Sequence, residues 1–273
     1  MINTTVSVGT DPEFPFVRNG KAFPAGEAFR KAGILDSLEL DTGEAIVDGV
    51  AYEANPRPGV SGGELVEQLQ PIIQEGFKLA EYLGLGFECA PETPFDLEWC
   101  EVDPMIAIFG CDPDLSIYGE ECRPGTIDAS QHPFRYFGAH IHIGGLGDFD
   151  MHKRIKRLDH TVGLLSTYIG LGEKRRGVYG RPGIYREQPW GLEYRTPSNL
   201  ILRTPRLAEQ VFDLALEAVQ ANVTSIVPDE LVVNVMRYGS RGDAKELYNR
   251  VATATGLPQA EDFDLSGSFT DWL

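Results

Sequence analysis

Apolar residues recur with helical spacing along four stretches of the chain. From residue 63 to about 82, Leu65, Leu69, Ile72, Ile73, Ala80 and Leu83 fall on one side of a helix that Pro71 is expected to kink or restart. From residue 151 to about 169, Ile155, Leu158, Val162, Leu165 and Ile169 form an apolar stripe. Lys153, Arg154, Lys156 and Arg157 fall on the opposite, polar side. Thr204-Pro205 starts a third helix, with Thr204 as N-cap and Pro205 at the first helical position; it turns Leu207, Val211, Leu214, Ala215 and Ala218 inward. Ser240 and Asp243 have the spacing of a capping box for a fourth, which ends at Gly256 ahead of Pro258.

Between the helices lie strand-like segments at 5–16, 45–54, 134–143 and 192–196. The stretch 84–125 is rich in turns, with short strand candidates around Phe87 and at 105–109. Strands and helices do not alternate regularly, so a parallel doubly wound sheet is not expected. Neither a GxGxxG nor a GxxxxGK[ST] loop is present to cradle phosphates. With no internal repeat and no low-complexity linker, the expectation is one α+β domain over 1–273. Its acidic tail starts at about 258, and Phe263, Phe269 and Trp272 are expected to pack back onto the body.

A chain of 273 residues with 42% hydrophobic and 10% aromatic residues has the means to build an ordinary globular core. No apolar run approaches the roughly 20 residues that span a bilayer, and MINTTVSVGTDPEF lacks the layout of a signal peptide. The expected location is the cytoplasm. The balance of 24 Lys+Arg against 41 Asp+Glu, a net charge of −17, argues against nucleic acid as a partner. Lys174-Arg175-Arg176, followed by Arg181 and Arg186, is the local basic exception. Cys89, Cys100, Cys111 and Cys122 lack metal or redox spacing and are read as free thiols.

Polar pairs two residues apart stand out within the strand-like segments. Asp11 and Glu13, Glu53 and Asn55, His140 and His142, and Glu193 and Arg195 each project to one face of a strand. A single pair of this kind is usually a solvated strand face. Four pairs beside Gly or Pro, mixing carboxylate, imidazole and guanidinium, point to a shared site if their strands share a sheet. Zinc favours nitrogen and sulfur ligands in a tight tetrahedral set. A set dominated by carboxylates suits Mg²⁺ or Mn²⁺ instead, ions that also bind substrate phosphates. An arginine beside such a cluster pairs bidentately with phosphate oxygens, and together these parts describe phosphoryl transfer. Pro12 removes a ladder hydrogen bond, which places the first strand at an edge or a bulge.

At these residues the sequence resembles the carboxylate–amine ligases of the glutamine synthetase and glutamate–cysteine ligase superfamily, and more narrowly the phage-type COOH–NH2 ligase family. The resemblance is carried by Gly9-Thr-Asp-Pro-Glu-Phe14, Tyr52-Glu-Ala-Asn-Pro-Arg-Pro58, Gly138-Ala-His-Ile-His-Ile-Gly144, Tyr179-Gly-Arg-Pro-Gly-Ile-Tyr-Arg186 and Leu192-Glu-Tyr-Arg195. It implies a curved antiparallel sheet forming a funnel or half-barrel, with helices packed outside. ATP would enter one end and a carboxylate substrate the other, with two or three Mg²⁺ or Mn²⁺ ions between. Asp11, Glu13, Glu53, His140 and Glu193 would hold the metal. His142, Arg195, Arg186 and Arg181 would contact the nucleotide, and Arg195, Arg186 and Glu53 would serve catalysis.

The activity implied is ATP-dependent amide formation through an acyl phosphate, joining a small-molecule or peptide carboxylate to an amine. Glu187 is one candidate base for the amine, and the Gly- and Arg-rich segment 173–188 a candidate lid. An oligomer is compatible with this picture, and so is a host-cell cytoplasm if the chain is phage-encoded. The rival readings are a metal-dependent hydrolase built on the His-x-His pair, a phosphotransferase of the same fold, and a non-catalytic phage protein.

Overall fold

The computed structural model describes residues 5–35, 37–107, 114–119, 121–122, 128–145, 147, 150–170, 173–221 and 226–273. The β-branched and aromatic residues of the polar-pair segments form strands, and every ladder among the described residues is antiparallel, apart from one isolated parallel bridge between Ala22 and Phe95. A six-stranded sheet runs in the order Ser7–Thr10, Ile141–Gly144, Gly191–Tyr194, Ile184–Gln188, Asp114–Ser116, Glu121–Cys122. A four-stranded sheet runs Glu13–Phe14, Ala51–Pro56, Gly43–Asp48, Ser37–Leu40. Lys21–Phe23, Phe16–Arg18 and Gly86–Phe87 form a third sheet, and Phe134–Tyr136 pairs with Glu92–Pro94. The sheets are open, and with the helices they give the expected α+β class.

Each long strand-like segment turns out to be broken. Segment 5–16 holds Ser7–Thr10, Glu13–Phe14 and the start of Phe16–Arg18, divided where Pro12 and Pro15 lack an N–H for a ladder. Segment 45–54 is a hairpin in which Gly43–Asp48 pairs with Ala51–Pro56, turning at Gly49, whose φ of 54° is a backbone that L side chains resist.

The helices follow their apolar stripes closely. Gly62–Leu83 runs without interruption through Pro71, capped by Ser61 and ended by Gly84 in the left-handed region. Pro205–Ala218 is capped by Thr204, whose side chain accepts from Leu207 N, and Arg241–Thr255 by the Ser240–Asp243 box. The 151–169 stretch is helical but contains a π turn, Asp159–Gly163, between Met151–Leu158 and Leu164–Ile169. Its polar side departs from expectation. Arg154 is 7% exposed, because it and Arg157 both donate to the Val219 carbonyl at the end of the neighbouring helix. Ala25–Ala32 and Asp229–Tyr238 are further helices that the periodicity did not disclose.

Strand alternation decides which side of the six-stranded sheet is core. Val8, Ile141, Ile143, Leu192 and Tyr194 are fully buried against Leu69, Leu158, Leu165, Leu207 and Val211 from the helices. The opposite face carries His142 and Glu193. The tail packs as its aromatics predict: Trp272 is fully buried and its indole donates to Leu202 O, while Phe269 stacks on Phe14. Cys89 and Cys100 are free; Cys111 and the Cys122 side chain lie outside what is described, as do residues 108 and 109 of the predicted strand. No described helix is long and apolar enough to cross a membrane.

Candidate functional site

The site is organised by the break at Asp11-Pro12. The ladder of Ser7–Thr10 with Ile141–Gly144 ends at Thr10, and the chain re-enters pairing at Glu13, now opposite Glu53 in the other sheet. Asp11 and Glu13 therefore do not share a strand face, as their spacing suggested; they stand on the two sides of a junction between sheets. Gly138 stitches that junction. Its carbonyl accepts from Glu13 N at 3.0 Å, and its N–H donates to Glu13 Oε2 at 2.8 Å. Ala54 N donates to Pro12 O, and the Thr10 hydroxyl to His140 O.

On the six-stranded side, Asp11, His140, His142 and Glu193 converge. His140 Nδ1 lies 3.1 Å from Asp11 Oδ1 and 3.5 Å from Glu193 Oε1, and His142 Nε2 lies 3.3 Å from Asp11 Oδ2. His142 and Glu193 are direct cross-strand partners, and Arg186 is the next partner of Glu193 across the sheet. Arg195 donates to Glu193 and, at 2.9 Å, to the Tyr179 hydroxyl; Arg186 Nη1 lies 3.6 Å from Glu193. His140, Glu193 and Arg195 are each buried.

On the four-stranded side, Glu13, Glu53 and Asp48 form a second group. In each of the trios Asp11–His142–Glu193 and Glu13–Asp48–Glu53 the potential ligand atoms lie within 4.8 Å of one another. Asn55 Nδ2 donates to Glu53 Oε1 at 3.0 Å, so this pair does share a face. Sequence reading missed Asp48. It lies inside segment 45–54, which reads as one strand, and has no polar residue two positions away to mark it.

The two groups differ electrostatically. Burial opposes the charge of Asp11, yet His140 and His142 together hold its carboxyl well below the usual range. Burial also works against Glu193, and His140 and Arg195 more than offset it. Glu13 and Asp48 are pushed up by burial, against the pull of His140. Glu53 is pushed up to about 9, by burial and then by the charges of Asp11, Glu13 and Asp48.

The donor set fits divalent cations. Three carboxylates without a paired cation repel one another, and a bound cation relieves this. Asp11 Oδ1, His140 Nδ1 and His142 Nε2 are buried; the two imidazoles reach Asp11 at 3.1 and 3.3 Å without hydrogen-bond alignment. Buried polar atoms normally have well-aligned partners, so their convergence here marks a ligand position. Oxygen-rich donors match Mg²⁺ or Mn²⁺ better than Zn²⁺.

Beside His142 opens a cleft of about 510 Å³, lined by Gly9, Pro56, Pro58, Gly144 and Trp190 among others. The Trp190 ring lies 5.1 Å from that of His142. Other expected site residues stand apart. The Arg181 guanidinium bonds Gly177 O, while Glu187 is exposed. Segment 173–188, expected as a lid, is the helix Glu173–Val178 followed by the sheet strand Ile184–Gln188. Arg175 is fully buried and donates to Thr196 O and Pro197 O, which fastens that helix to the body.

A family model described as phage phiEco32-like COOH.NH2 ligase-type 2 matches residues 123–261, just over half of the 273. The chain belongs to that family. The match takes in His140, His142, Tyr179, Arg186, Glu193 and Arg195; Asp11, Glu13, Asp48 and Glu53 precede it. No curated protein matches. Among solved structures, the chain is similar to a novel glutamine synthase homolog at 14% identity and a TM-score of 0.43, over 92% of this chain and 62% of that one. It is also similar to the complex between the prokaryotic ubiquitin-like protein Pup and its ligase PafA, at 10% identity and a TM-score of 0.49, over 98% of this chain and 62% of that one. The chain thus spans less than two thirds of the length of these structures.

Proposed function

We propose that this COOH.NH2 ligase family member joins a carboxylate to an amine at the expense of ATP, by way of an acyl phosphate. One observation carries the reading: two carboxylate-rich trios meet at a sheet junction, and the arginines Arg195 and Arg186 border one of them. Asp11, His142 and Glu193, with His140 against both carboxylates, would hold one ion, and Glu13, Glu53 and Asp48 a second. Mg²⁺ bound there would screen the polyphosphate and polarise the phosphoryl group in transfer.

The chain's own groups account for the remaining needs. The cleft beside His142, walled by Trp190, Pro56 and Pro58, suits the apolar face of a nucleotide. Arg195 is preorganised by Glu193 and Tyr179, and a fixed guanidinium stabilises charge as it develops on the transferring oxygens. The substrate carboxylate displaces ADP from the γ-phosphorus. The amine then displaces phosphate from the acyl carbon and loses a proton to a base in the site. Arg181 and Glu187 have no role in this scheme.

The test is ATP turnover with Mg²⁺, with and without a panel of amino acids and short peptides. ADP release that depends on an added carboxylate and amine is expected. Absence of ADP, with Glu13→Ala and Arg195→Ala leaving every measurable activity unchanged, would refute the ligase reading.

A further inference from the structure

The six-stranded sheet continues past the carboxylates on the face that carries His142. Residues directly opposite in a ladder share a face; Ser7 lies opposite Gly144, and Gly9 opposite His142. Two of these four positions are glycines, and a Cβ added at Gly144 would stand only 2.6 Å from Ser7 Oγ. The strands therefore leave a floor without side chains at Gly9 and Gly144, and it forms part of the cleft of about 510 Å³. Trp190 borders that cleft from the turn between Ile184–Gln188 and Gly191–Tyr194. The indole is 45% exposed, and its ring is tilted 42° to that of His142. A glycine floor beside an open indole suits a flat ring, which can lie close to backbone and stack on the aromatic face.

The polar groups of the lining bear on which rings fit. Thr10 Oγ1 donates to His140 O at 2.7 Å, and Pro56 and Pro58 have no N–H to offer. His142 turns Nε2 to Asp11 at 3.3 Å. Among the described lining residues, the Ser7 hydroxyl is then the group left to meet the edge of a ring. A hydroxyl both donates and accepts, so it serves the exocyclic amino group of adenine and the exocyclic carbonyl of guanine equally. Stacking accepts every base, because each has a π face, and its strength sets the preference. A fused purine offers more face than a pyrimidine.

We propose that Trp190, with the floor at Gly9 and Gly144, is a specificity-determining platform that stacks a purine and does not tell adenine from guanine. The phosphoryl donor is then a purine nucleoside triphosphate, GTP as well as ATP. The inference rests on the reading of this chain as a nucleotide-dependent ligase and names what its cleft selects.

Isothermal titration calorimetry of the full chain in Mg²⁺, with ADP, GDP, CDP, UDP or pyrophosphate, tests this without turnover. ADP and GDP are expected to bind within about threefold of each other, and at least about fivefold more tightly than CDP, UDP or pyrophosphate. Stacking of a base on an aromatic side chain is worth about 5- to 150-fold in affinity. Trp190→Leu is expected to lose a factor in that range for both purines while holding pyrophosphate within about twofold of wild type. Trp190→Phe keeps an aromatic face and should recover most of the loss. ADP favoured over GDP by about tenfold or more overturns the shared purine specificity. Purine binding by Trp190→Leu within about twofold of wild type overturns the stacking platform. A wild type that binds the purines no better than pyrophosphate overturns the inference and leaves the ligase reading standing. One that binds none of these ligands overturns the nucleotide reading and the inference with it. Should Trp190→Leu fail to fold, the wild-type titrations and Trp190→Phe still decide.

Discussion

Glu13 and Glu53 stand directly opposite each other in antiparallel register, with Asp48 on the adjoining strand completing a carboxylate trio. Like charges so placed destabilise a sheet, and burial with its neighbours' charges pushes Glu53 up to about 9 from an ordinary 4.5. A carboxyl raised on folding contributes stability that is fully present below about 4.5 and is lost as pH rises through about 9. Glu53→Gln is expected to remove this loss. Urea unfolding of the metal-free protein should find the variant gaining on wild type between pH 5 and pH 8, by up to about 1.4 kcal/mol per pH unit. Mn²⁺ affinity should fall at least about tenfold. A variant of unchanged pH slope and unchanged affinity would detach Glu53 from the site.

Arg195 is the buried counter-charge of Glu193 and also bonds Tyr179. Removing one partner of a buried pair strands the other, at a cost of about 3–5 kcal/mol. Arg195→Ala should therefore lower the unfolding midpoint and abolish ATP turnover together. Arg195→Lys keeps the charge but lacks the planar fork that reaches two acceptors. It is expected to recover most of the stability and little of the turnover. Calorimetry beside a coupled ADP assay separates the two effects, and a fully active lysine variant would show that charge alone suffices.

Much of this site was legible in the sequence because alternation is a local property. The i, i+2 rule places His140 with His142 and Glu193 with Arg195, and the opposite-facing Ile141 and Ile143 do bury. What the rule does not encode is which strands pair. Pro12 signalled a disturbed ladder, but only the tertiary structure makes that disturbance a crossing from one sheet to another. Asp48 was missed because segment 45–54 reads as one strand and its i±2 neighbours, Ile46 and Val50, are apolar. Arg175 reads as part of a basic, Arg-rich candidate lid because sequence shows no partner for it. The carbonyls that bury it belong to Thr196 and Pro197, about twenty residues further on. The π turn at Asp159–Gly163 was invisible for a similar reason: the apolar stripe remains helical on both sides of it.

Asp159, in that π turn, is fully buried behind the six-stranded sheet. It accepts from the Tyr194 hydroxyl at 2.6 Å and from Gly183 N at 3.2 Å. Burial raises its carboxyl to about 7 from 3.8, against the lowering effect of these bonds. The sign is that of a raised acid: its contribution is complete below about 3.8 and is lost as pH rises through about 7. Asp159→Asn keeps an acceptor for Tyr194 and cannot ionise. Relative to wild type it should gain stability from about pH 4 to about pH 7, with a slope of up to about 1.4 kcal/mol per pH unit. Urea midpoints across that window decide it, and parallel curves for the two proteins would mean that Asp159 does not titrate there.

Trp272, next to the last residue, is fully buried, donates through its indole to Leu202 O at 2.8 Å, and has its carbonyl held by Gln70 and Gln74. Three residues earlier, Phe269 stacks at 5.0 Å on Phe14, the neighbour of Glu13. The tail is thus part of the core behind the carboxylate trio. Truncating a buried tryptophan costs about 3–5 kcal/mol, so Trp272→Ala should lower the urea midpoint by a corresponding amount. Leu273 is 68% exposed, and Leu273→Ala should stay within about 0.5 kcal/mol of wild type. Unfolding curves of the two variants compare a core and a surface position one residue apart. Equal, small effects would mean that the tail does not stay docked in solution.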